Sequence, residues 1–130
     1  MIAIHNYIIV NNCWTPVFPL KLRNYDGKEI DIEVILDSGY EGELHIAFDF
    51  FEELELGKWL TEENVWNHRL VAYAEISISG LFNEYRKVEV ENRQGYDENL
   101  LGLGVLNKMC ATFNALTNPK QTTLEIEKKE

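Results

Sequence analysis

Two short segments of this chain carry residue types that could support hydrolysis. Asp37-Ser38-Gly39 comes at the end of the apolar run of residues 30–36, and Leu100-Leu101-Gly102 precedes a short helical pattern. A carboxylate such as that of Asp37 can accept or donate a proton in general acid–base catalysis. The Ser38 hydroxyl can hydrogen-bond to backbone groups. Gly39 permits backbone conformations that residues with a Cβ avoid, and it allows close approach of a substrate.

The Asp-Ser-Gly tripeptide alone is a weak signal, because all three residue types are common in turns. With glycine at about 7% of residues, a match to Asp-Ser/Thr-Gly arises by chance in roughly a few per cent of chains of this length. A hairpin turn is therefore the plain alternative. The context favours a site, since a predicted strand precedes Asp37, an apolar segment at residues 44–46 follows it, and Leu100-Leu101-Gly102 comes later.

Together these segments resemble the retropepsin-like aspartic proteases, the single-lobe relatives of pepsin. In that family an Asp-Thr/Ser-Gly loop supplies the catalytic aspartate, and an apolar-apolar-Gly strand with a helix behind it packs beside that loop. The resemblance covers roughly residues 17–126. It implies a mostly β, single-domain, closed or barrel-like fold over residues 1–130, with one or two short helices. It assigns the catalytic role to Asp37 and support of the loop to Ser38, Gly39 and Gly102.

The same resemblance implies an aspartic endopeptidase that acts as a homodimer. Two carboxylates about 3 Å apart share one proton, so that one serves as base and the other as acid toward a water molecule. Asp37 supplies one carboxylate, and a second subunit would supply the other. No metal or cofactor is implied. The residues expected nearest a bound peptide or protein substrate are Gly39, Tyr40, Glu41, Trp66 and His68, the last two on the presumed flap.

Two other functions are compatible with these residues. The chain could be a catalytically silent peptide-binding or dimerisation module on the same fold, or an oligomeric structural protein in which Asp37 is a buried turn residue. The intact Asp37-Ser38-Gly39 favours the enzyme. The chain departs from the viral pattern in that Ser38 replaces Thr, Tyr40 stands where Ala is common, and residues 61–70 contain no glycine-rich flap. Tyr40-Glu41-Gly42 is closer to the microbial branch of the family.

Charge and composition narrow the class of partner. The 130 residues include 12 Lys and Arg and 22 Asp and Glu, which gives a net charge of −10. Nucleic-acid binding depends on clustered basic side chains, so this charge disfavours nucleic acid as a partner. It also disfavours anionic membrane surfaces and favours a basic or neutral peptide as the partner. No apolar stretch approaches the ~18 residues of a membrane span, and no secretory signal is evident. We therefore expect a cytoplasmic protein in which Cys13 and Cys110 are reduced, partly buried thiols.

Period-two alternation of apolar residues predicts strands along most of the chain. The predicted strands are residues 17–23, 30–36, 70–78, 85–91, 111–116 and 121–126, after a mixed apolar run at residues 2–10. Asp26-Gly27 predicts a turn, and Pro19 indicates an edge or a bulge. Two short helices are expected, one capped by Asp49 and ending near Gly57, the other over residues 104–109.

Other chemistries have little support. Residues 102–107 begin like a dinucleotide-binding fingerprint but lack its third glycine and its strand–helix context, and no Gly-x-Ser-x-Gly elbow is present. The histidines at positions 5, 45 and 68 and the two cysteines do not have the spacing of a zinc site. The acidic run of residues 52–55 is typical of a solvated helix face. Trp59 and Trp66 are interpreted as core anchors, with residues at the base of a flap as the alternative.

Overall fold

The alternating segments form a structure made mostly of β-strands. The computed structural model describes residues 2–66 and 68–126, apart from the side chain of Asn83. In chain order the strands are β1 Ile2–Asn6, β2 Ile8–Val10, β3 Cys13–Thr15, β4 Val17–Arg23, β5 Glu29–Asp37, β6 Leu44–His45, β7 Leu60–Asn64, β8 Arg69–Ile78, β9 Phe82–Arg93, β10 Leu100–Gly102, β11 Ala111–Ala115 and β12 Gln121–Ile126. The α-helices are α1 Phe48–Glu53 and α2 Leu103–Lys108, and a 3-10 turn spans Leu56–Trp59. No helix in the described part of the chain is long and apolar enough to cross a membrane.

Six of the strands form a closed barrel. They are hydrogen-bonded in the order β4-β5-β10-β6-β9-β8, and residues 21–23 of β4 pair with residues 75–77 of β8 to close the ring. β7 continues the sheet beyond β8 as an antiparallel hairpin. Pro19 lies in the part of β4 that is paired with β5 and not with β8, where its missing N–H is tolerated. The prediction of a mostly β, closed fold with short helices is confirmed.

The alternating apolar residues fill the interior of this barrel. The buried residues contributed by β4, β5, β8 and β9 include Leu20, Leu22, Ile32, Val34, Leu36, Ala72, Ala74, Ile76, Val88 and Val90. Successive side chains of a strand point to opposite faces, so the intervening charged residues of β5 face solvent. Burying each Leu, Ile or Val side chain contributes about 1.5–3 kcal/mol, which makes this core the main source of stability.

A buried asparagine closes one end of the β4–β5 hairpin. The Nδ2 of Asn24 donates to the carbonyl of Leu54 at 2.8 Å, and its Oδ1 accepts the N–H groups of Asp26 and Lys28, each at 2.9 Å. Gly27 has φ +91°, a left-handed conformation that glycine adopts without steric cost. The turn predicted at Asp26-Gly27 is therefore fixed by the Asn24 side chain.

The two ends of the chain form a separate small sheet in which β1 pairs with β12 and β12 pairs with β11, all antiparallel. The apolar run of residues 2–10 divides at Tyr7, because β2 leaves this sheet and pairs with β3 in a two-stranded hairpin. Asn11 and Asn12 form the turn of that hairpin with φ of 50° and 63°. Two consecutive positive φ values, which only a few residue types accept, form the two-residue turn that pairs β2 with β3.

Three local expectations were wrong. α1 begins at Phe48 with Ala47 at its N-cap, so Asp49 lies in the first turn instead of capping the helix. Cys13 and Cys110 are free but exposed, because one adjoins the β2–β3 turn and the other follows the end of α2. Trp66 does not anchor the core: it is 94% exposed, whereas Trp59 is half-buried and packs edge-on against Tyr25.

Candidate active site

The side chain of Asp37 lies at the carboxyl end of β5, where the chain turns sharply. The N–H of Gly39 donates to Asp37 Oδ1 at 2.9 Å, and the N–H of Tyr40 donates to the Asp37 backbone carbonyl at 3.1 Å. An aspartate that bonds the N–H two residues later holds its own turn. Asp37 is half-buried, whereas Ser38 and Gly39 are exposed. The turn therefore fixes one carboxylate oxygen while solvent still reaches the group.

Strand β10 runs parallel to β5 and brings Gly102 into register with Asp37. Three consecutive N–H groups at the start of α2 hold the loop that follows Asp37. Gly102 donates to the carbonyl of Glu43 at 2.9 Å, Leu103 to that of Tyr40 at 2.8 Å, and Gly104 to that of Gly42 at 3.1 Å. The loop is thus tied to β10 and α2 through the backbone.

Glycine at position 102 is required by the close approach of this loop. A Cβ there would overlap the carbonyl oxygen of Gly42 and lie 2.7 Å from Cδ2 and 2.8 Å from the carbonyl oxygen of Tyr40. Gly42 is similarly confined, because the ring of Tyr40 covers it and a Cβ would lie 2.8 Å from Cε1. The contacts are with backbone and a packed ring, so no flexible side-chain end could move aside.

A buried carboxylate joins the loop to the neighbouring β7–β8 hairpin. Glu91 of β9, with its side chain 4% exposed, accepts the Tyr40 hydroxyl at 2.9 Å and the Nε of Arg69 at 3.0 Å, and it also pairs with Arg93. Arg69 continues the connection to Glu62 of β7 at 2.7 Å. We call this set, Tyr40, Glu62, Arg69, Glu91 and Arg93, the Glu91 network.

The electrostatics of the Glu91 network favour an ionised carboxylate and a neutral phenol. Burial raises the pKa of Glu91, but hydrogen bonds from Arg93, Arg69 and Tyr40 outweigh it and hold the pKa below its ordinary value. The pKa of Tyr40 is raised, first because its hydroxyl is buried and second because the hydroxyl donates to Glu91. Both shifts describe the same charge state, in which the phenol donates to a carboxylate that two guanidinium groups neutralise.

His45 packs beside this network with its tautomer defined by the backbone. Its Nε2 accepts the backbone N–H of Arg93 at 3.0 Å, and its Nδ1 lies 2.8 Å from the carbonyl of Glu98. A backbone N–H can only donate, so the proton of the neutral ring must be on Nδ1. The ring lies edge-on between Tyr40 and Tyr96, with centroid distances of 6.3 Å and 6.0 Å. His45 therefore has a structural role in this arrangement.

The β7–β8 hairpin carries the two residues that were predicted to lie on a flap. Its turn contains the exposed Trp66 and His68, and His68 has φ 47°. His68 lines a cleft of about 550 Å³ between this hairpin, α1 and the loop of residues 94–97, where the side chains of Phe48, Leu70 and Tyr96 meet those of Asp49, Glu63, Arg93 and Asp97. Asp37 is not among the described residues that line this cleft.

The residues predicted for the site fall into two groups. The structure brings Asp37, Ser38, Gly39 and Gly102 together at the ends of two parallel strands, and Glu41 is exposed in the same loop. Trp66 and His68 lie apart, at the β7–β8 turn. Among the described residues, no group of three or more His, Cys, Asp or Glu could hold a metal ion.

Sequence reasoning missed the Glu91 network, because alternation along β9 assigns Glu91 to the solvent face. A signal was available, however. Arg69 and Arg93 are directly opposite each other on β8 and β9, and two like charges in that position are destabilising without a carboxylate between them. Glu91, two residues before Arg93 on the same face, is that carboxylate.

Comparisons with known proteins agree with this geometry. The structure is similar to a retropepsin-like aspartic protease from Rickettsia conorii, with a TM-score of 0.53 and 17% identity over 88% of this chain and 96% of that one. It is also similar to the retroviral protease-like domain of Ddi1 from Leishmania major, with a TM-score of 0.57 and 12% identity over 87% of this chain and 88% of that one. No protein-family model and no curated sequence matches the chain.

The similarity extends over most of both chains. It agrees with the closed barrel, in which β5 ends at the Asp-Ser-Gly turn and the Leu-Leu-Gly strand β10 pairs with β5. At identities of 12% and 17% it establishes the fold and nothing finer. From the six-stranded barrel, the β5–β10 pairing and these two similarities, we conclude that this chain has a retropepsin-like fold.

Proposed function

We propose that this protein is an aspartic endopeptidase whose active form is a homodimer. The observation that carries the proposal is the Asp37 turn: a half-exposed carboxylate at the end of β5, held by Gly39 and by the backbone of β10 in a retropepsin-like fold. One chain contributes one such turn, and the chemistry needs two carboxylates. A two-fold symmetric dimer supplies the second from the same position of another copy.

In this mechanism the two Asp37 carboxylates share one proton. The ionised carboxylate removes a proton from water as it attacks the peptide carbonyl, and the protonated one donates to the carbonyl oxygen. The C–N bond then breaks as the carboxyl that took the water proton gives it to the leaving nitrogen, and the hydroxyl proton returns to the other carboxylate. Ser38, Gly39 and Gly102 support the turn and do not exchange protons. The scheme requires no metal or cofactor.

The substrate is an extended peptide bound in the cleft between two subunits, through main-chain hydrogen bonds and alternate side chains. Gly39, Tyr40 and Glu41 are nearest to it, and the β7–β8 turn contributes Trp66 and His68. The net charge of −10 favours peptides with basic or neutral flanks and disfavours nucleic acid. The two unpaired thiols are compatible with a reducing compartment such as the cytoplasm.

The decisive experiment compares Asp37→Asn with Asp31→Asn in a peptide-library cleavage assay. The amide at position 37 can still accept the Gly39 N–H but cannot share a proton, so we expect cleavage to be lost while the fold and dimer remain. Asp31, exposed on the same strand, is the matched control and should keep full activity. Thermal unfolding and sedimentation of both variants check that the loss is chemical.

The same assay separates the alternatives. Unchanged turnover in Asp37→Asn would mean that the activity lies elsewhere. Peptide binding by the wild-type chain without turnover across about pH 3–8 would select the silent binding module. A wild-type protein that cleaves peptides while it sediments only as a monomer would rule out the shared site.

A further inference from the structure

The β2–β3 hairpin is an apolar projection that the fold itself does not cover. Within residues 2–66 and 68–126 its strands pair only with each other, and Ile9 lies directly opposite Trp14. Both side chains are largely exposed, Ile9 at 60% and Trp14 at 57%. A two-stranded hairpin is at best marginally stable in water, and an exposed Trp-Ile cross-strand pair is apolar surface that a partner could bury.

The hairpin joins the barrel beside Asp37. The carbonyl of Pro16 accepts the N–H of Leu36 at 3.4 Å, and Val17 is in register with Ile35. Because β4 and β5 are antiparallel, the chain before β4 continues past the carboxyl end of β5, in the direction of the Asp37 turn. Neighbouring strands are about 4.8 Å apart, so Pro16, the residue that follows the hairpin, lies about one strand spacing from Leu36, the residue before Asp37.

The charge distribution points to a second copy of this chain as the partner. Residues 1–20 contain no Asp, Glu, Lys or Arg, so the whole charge of −10 arises from residues 21–130. Two copies that each carry −10 repel each other overall, a segment without charged residues adds nothing to that repulsion, and the cores of protein interfaces are depleted of charged residues. Ile2 and Ile4 are also exposed on the outer face of β1, where Glu125 of β12 is opposite Ile2. Tyr7 is the single residue between β1 and β2.

We propose that the β2–β3 hairpin is a dimerisation arm that lays Ile9 and Trp14 on the second copy of this chain. The inference rests on the proposed function in one respect. Two Asp37 carboxylates that share a proton are about 3 Å apart, so the partner's surface begins a few ångströms from Asp37. A hairpin that starts about one strand spacing from Leu36, the residue before Asp37, is close enough to meet that surface.

The test measures the monomer–dimer dissociation constant by sedimentation equilibrium for the wild type and for Ile9→Ser/Trp14→Ser. Truncating a central interface tryptophan commonly has a large effect on binding, so we expect the dissociation constant to rise at least about tenfold. The control is Tyr25→Ser, which removes an exposed aromatic side chain, 44% accessible, from the opposite end of the β4–β5 hairpin. It should leave dimerisation within about twofold of the wild type. Thermal unfolding of each variant verifies that the monomer stays folded.

The outcomes separate this inference from the proposed function. If the wild type cleaves peptides as a monomer, both fail. If the wild type is a dimer and Ile9→Ser/Trp14→Ser dimerises equally well, the arm is wrong and the shared site stands. If the double variant keeps the dimer but raises KM for peptides, the pair contacts substrate instead of the second copy, which also overturns the proposal.

Discussion

The two ends of the β4–β5 hairpin are built in opposite ways. At the turn of residues 24–28, the Asn24 side chain is 1% exposed and bonds to Leu54, Asp26 and Lys28. At the other end, the Asp37 carboxylate accepts a hydrogen bond from the N–H of Gly39 within the described part of the chain. One end satisfies its polar groups internally, whereas the other leaves an acceptor facing solvent.

The difference shows how this fold holds the Asp37 carboxylate in place without burying it completely. The Asn24 turn is held by its own side chain, which is buried and therefore not accessible to a ligand. The Asp37 turn is held largely from outside, by the N–H groups of Gly102, Leu103 and Gly104 and by the Tyr40–Glu91 hydrogen bond. Substitutions at the Asn24 end should therefore change stability alone, whereas substitutions at the Asp37 end should also change activity.

The largest effect is expected where the Asp37 end receives its backbone support. Gly102→Val would place a branched side chain against the carbonyl of Gly42 and the ring of Tyr40. Overpacking usually costs about 1–3 kcal/mol and sometimes more, and because the clash here is with backbone we expect at least about 3 kcal/mol. Urea unfolding measures the loss, and cleavage should disappear with the fold.

Gly57→Val is the matched control for this prediction, because a Cβ at Gly57 meets nothing within 4 Å. Its stability should stay close to that of the wild type. Full stability in Gly102→Val would mean that β10 does not hold the Asp37 loop, and the contrast between the two ends would lose its basis.

The next largest effect is expected at the other end. Asn24→Ala removes three hydrogen bonds and leaves the Leu54 carbonyl and the N–H groups of Asp26 and Lys28 to find other partners. Since an unsatisfied buried group costs about 1–3 kcal/mol, we expect a loss of about 2–4 kcal/mol in urea unfolding. Turnover per folded molecule should not change, and Asn114→Ala, at an exposed position of β11, should change neither. A lower turnover per folded molecule in Asn24→Ala would contradict the contrast between the two ends.

A smaller effect, with a distinct pH dependence, is expected for Glu91→Gln. The hydrogen-bonded Glu91 has a pKa below its unfolded value, so the folded state binds fewer protons in acid. Its stabilisation is therefore fully present above the unfolded pKa and is lost as the pH falls through the folded pKa. Glu91→Gln should lower stability by about 1–3 kcal/mol near neutral pH and flatten the decline in acid.

Thermal unfolding from neutral to acidic pH checks the Glu91 prediction, with Glu89→Gln as the control on the same strand. Glu89 is more exposed and lies 4.0 Å from Arg69, so its replacement should leave the acid decline in place. An equally steep decline in Glu91→Gln would show that other carboxylates cause it.

The smallest effect is expected for Tyr40→Phe. The ring stays on Gly42 and Gly102, and only the hydroxyl bond to Glu91 at 2.9 Å is lost. A hydrogen bond to a charged group contributes about 1.5–3 kcal/mol, but Glu91 keeps both arginine partners, so we expect a loss of about 1–2 kcal/mol. Cleavage should fall less than in Asp37→Asn, while Tyr96→Phe, with an exposed ring, should match the wild type. A complete loss of cleavage in Tyr40→Phe would make its hydroxyl part of the chemistry.

Much of the fold was predictable because its determinants are local. The alternation of Ile30, Ile32, Val34 and Leu36 indicated a half-buried strand, and Asp26-Gly27 indicated its turn; β5 and the turn at Gly27 confirm both. The end of the helical pattern near Met109 was equally clear. The division of residues 2–10 was missed, because apolar content alone does not tell which of two neighbouring sheets a strand joins.

The candidate site was predictable only in part. Contacts between residues close together in the sequence could be predicted, whereas contacts between distant residues could not. The sequence by itself determined that Asp37, Ser38 and Gly39 form one turn, because three adjacent residues of these types fold back locally. Only the tertiary structure decided that Glu91, 51 positions from Tyr40, is buried where it accepts the Tyr40 hydroxyl. Closure of the barrel brings β9 between β6 and β8. Glu91 becomes buried because Arg93 of its own strand, Arg69 of β8 and Tyr40 of the loop after β5 cover it. Local conformational preferences can be predicted from neighbouring residues, whereas the burial of a charge depends on which distant segments pack against it and neutralise it.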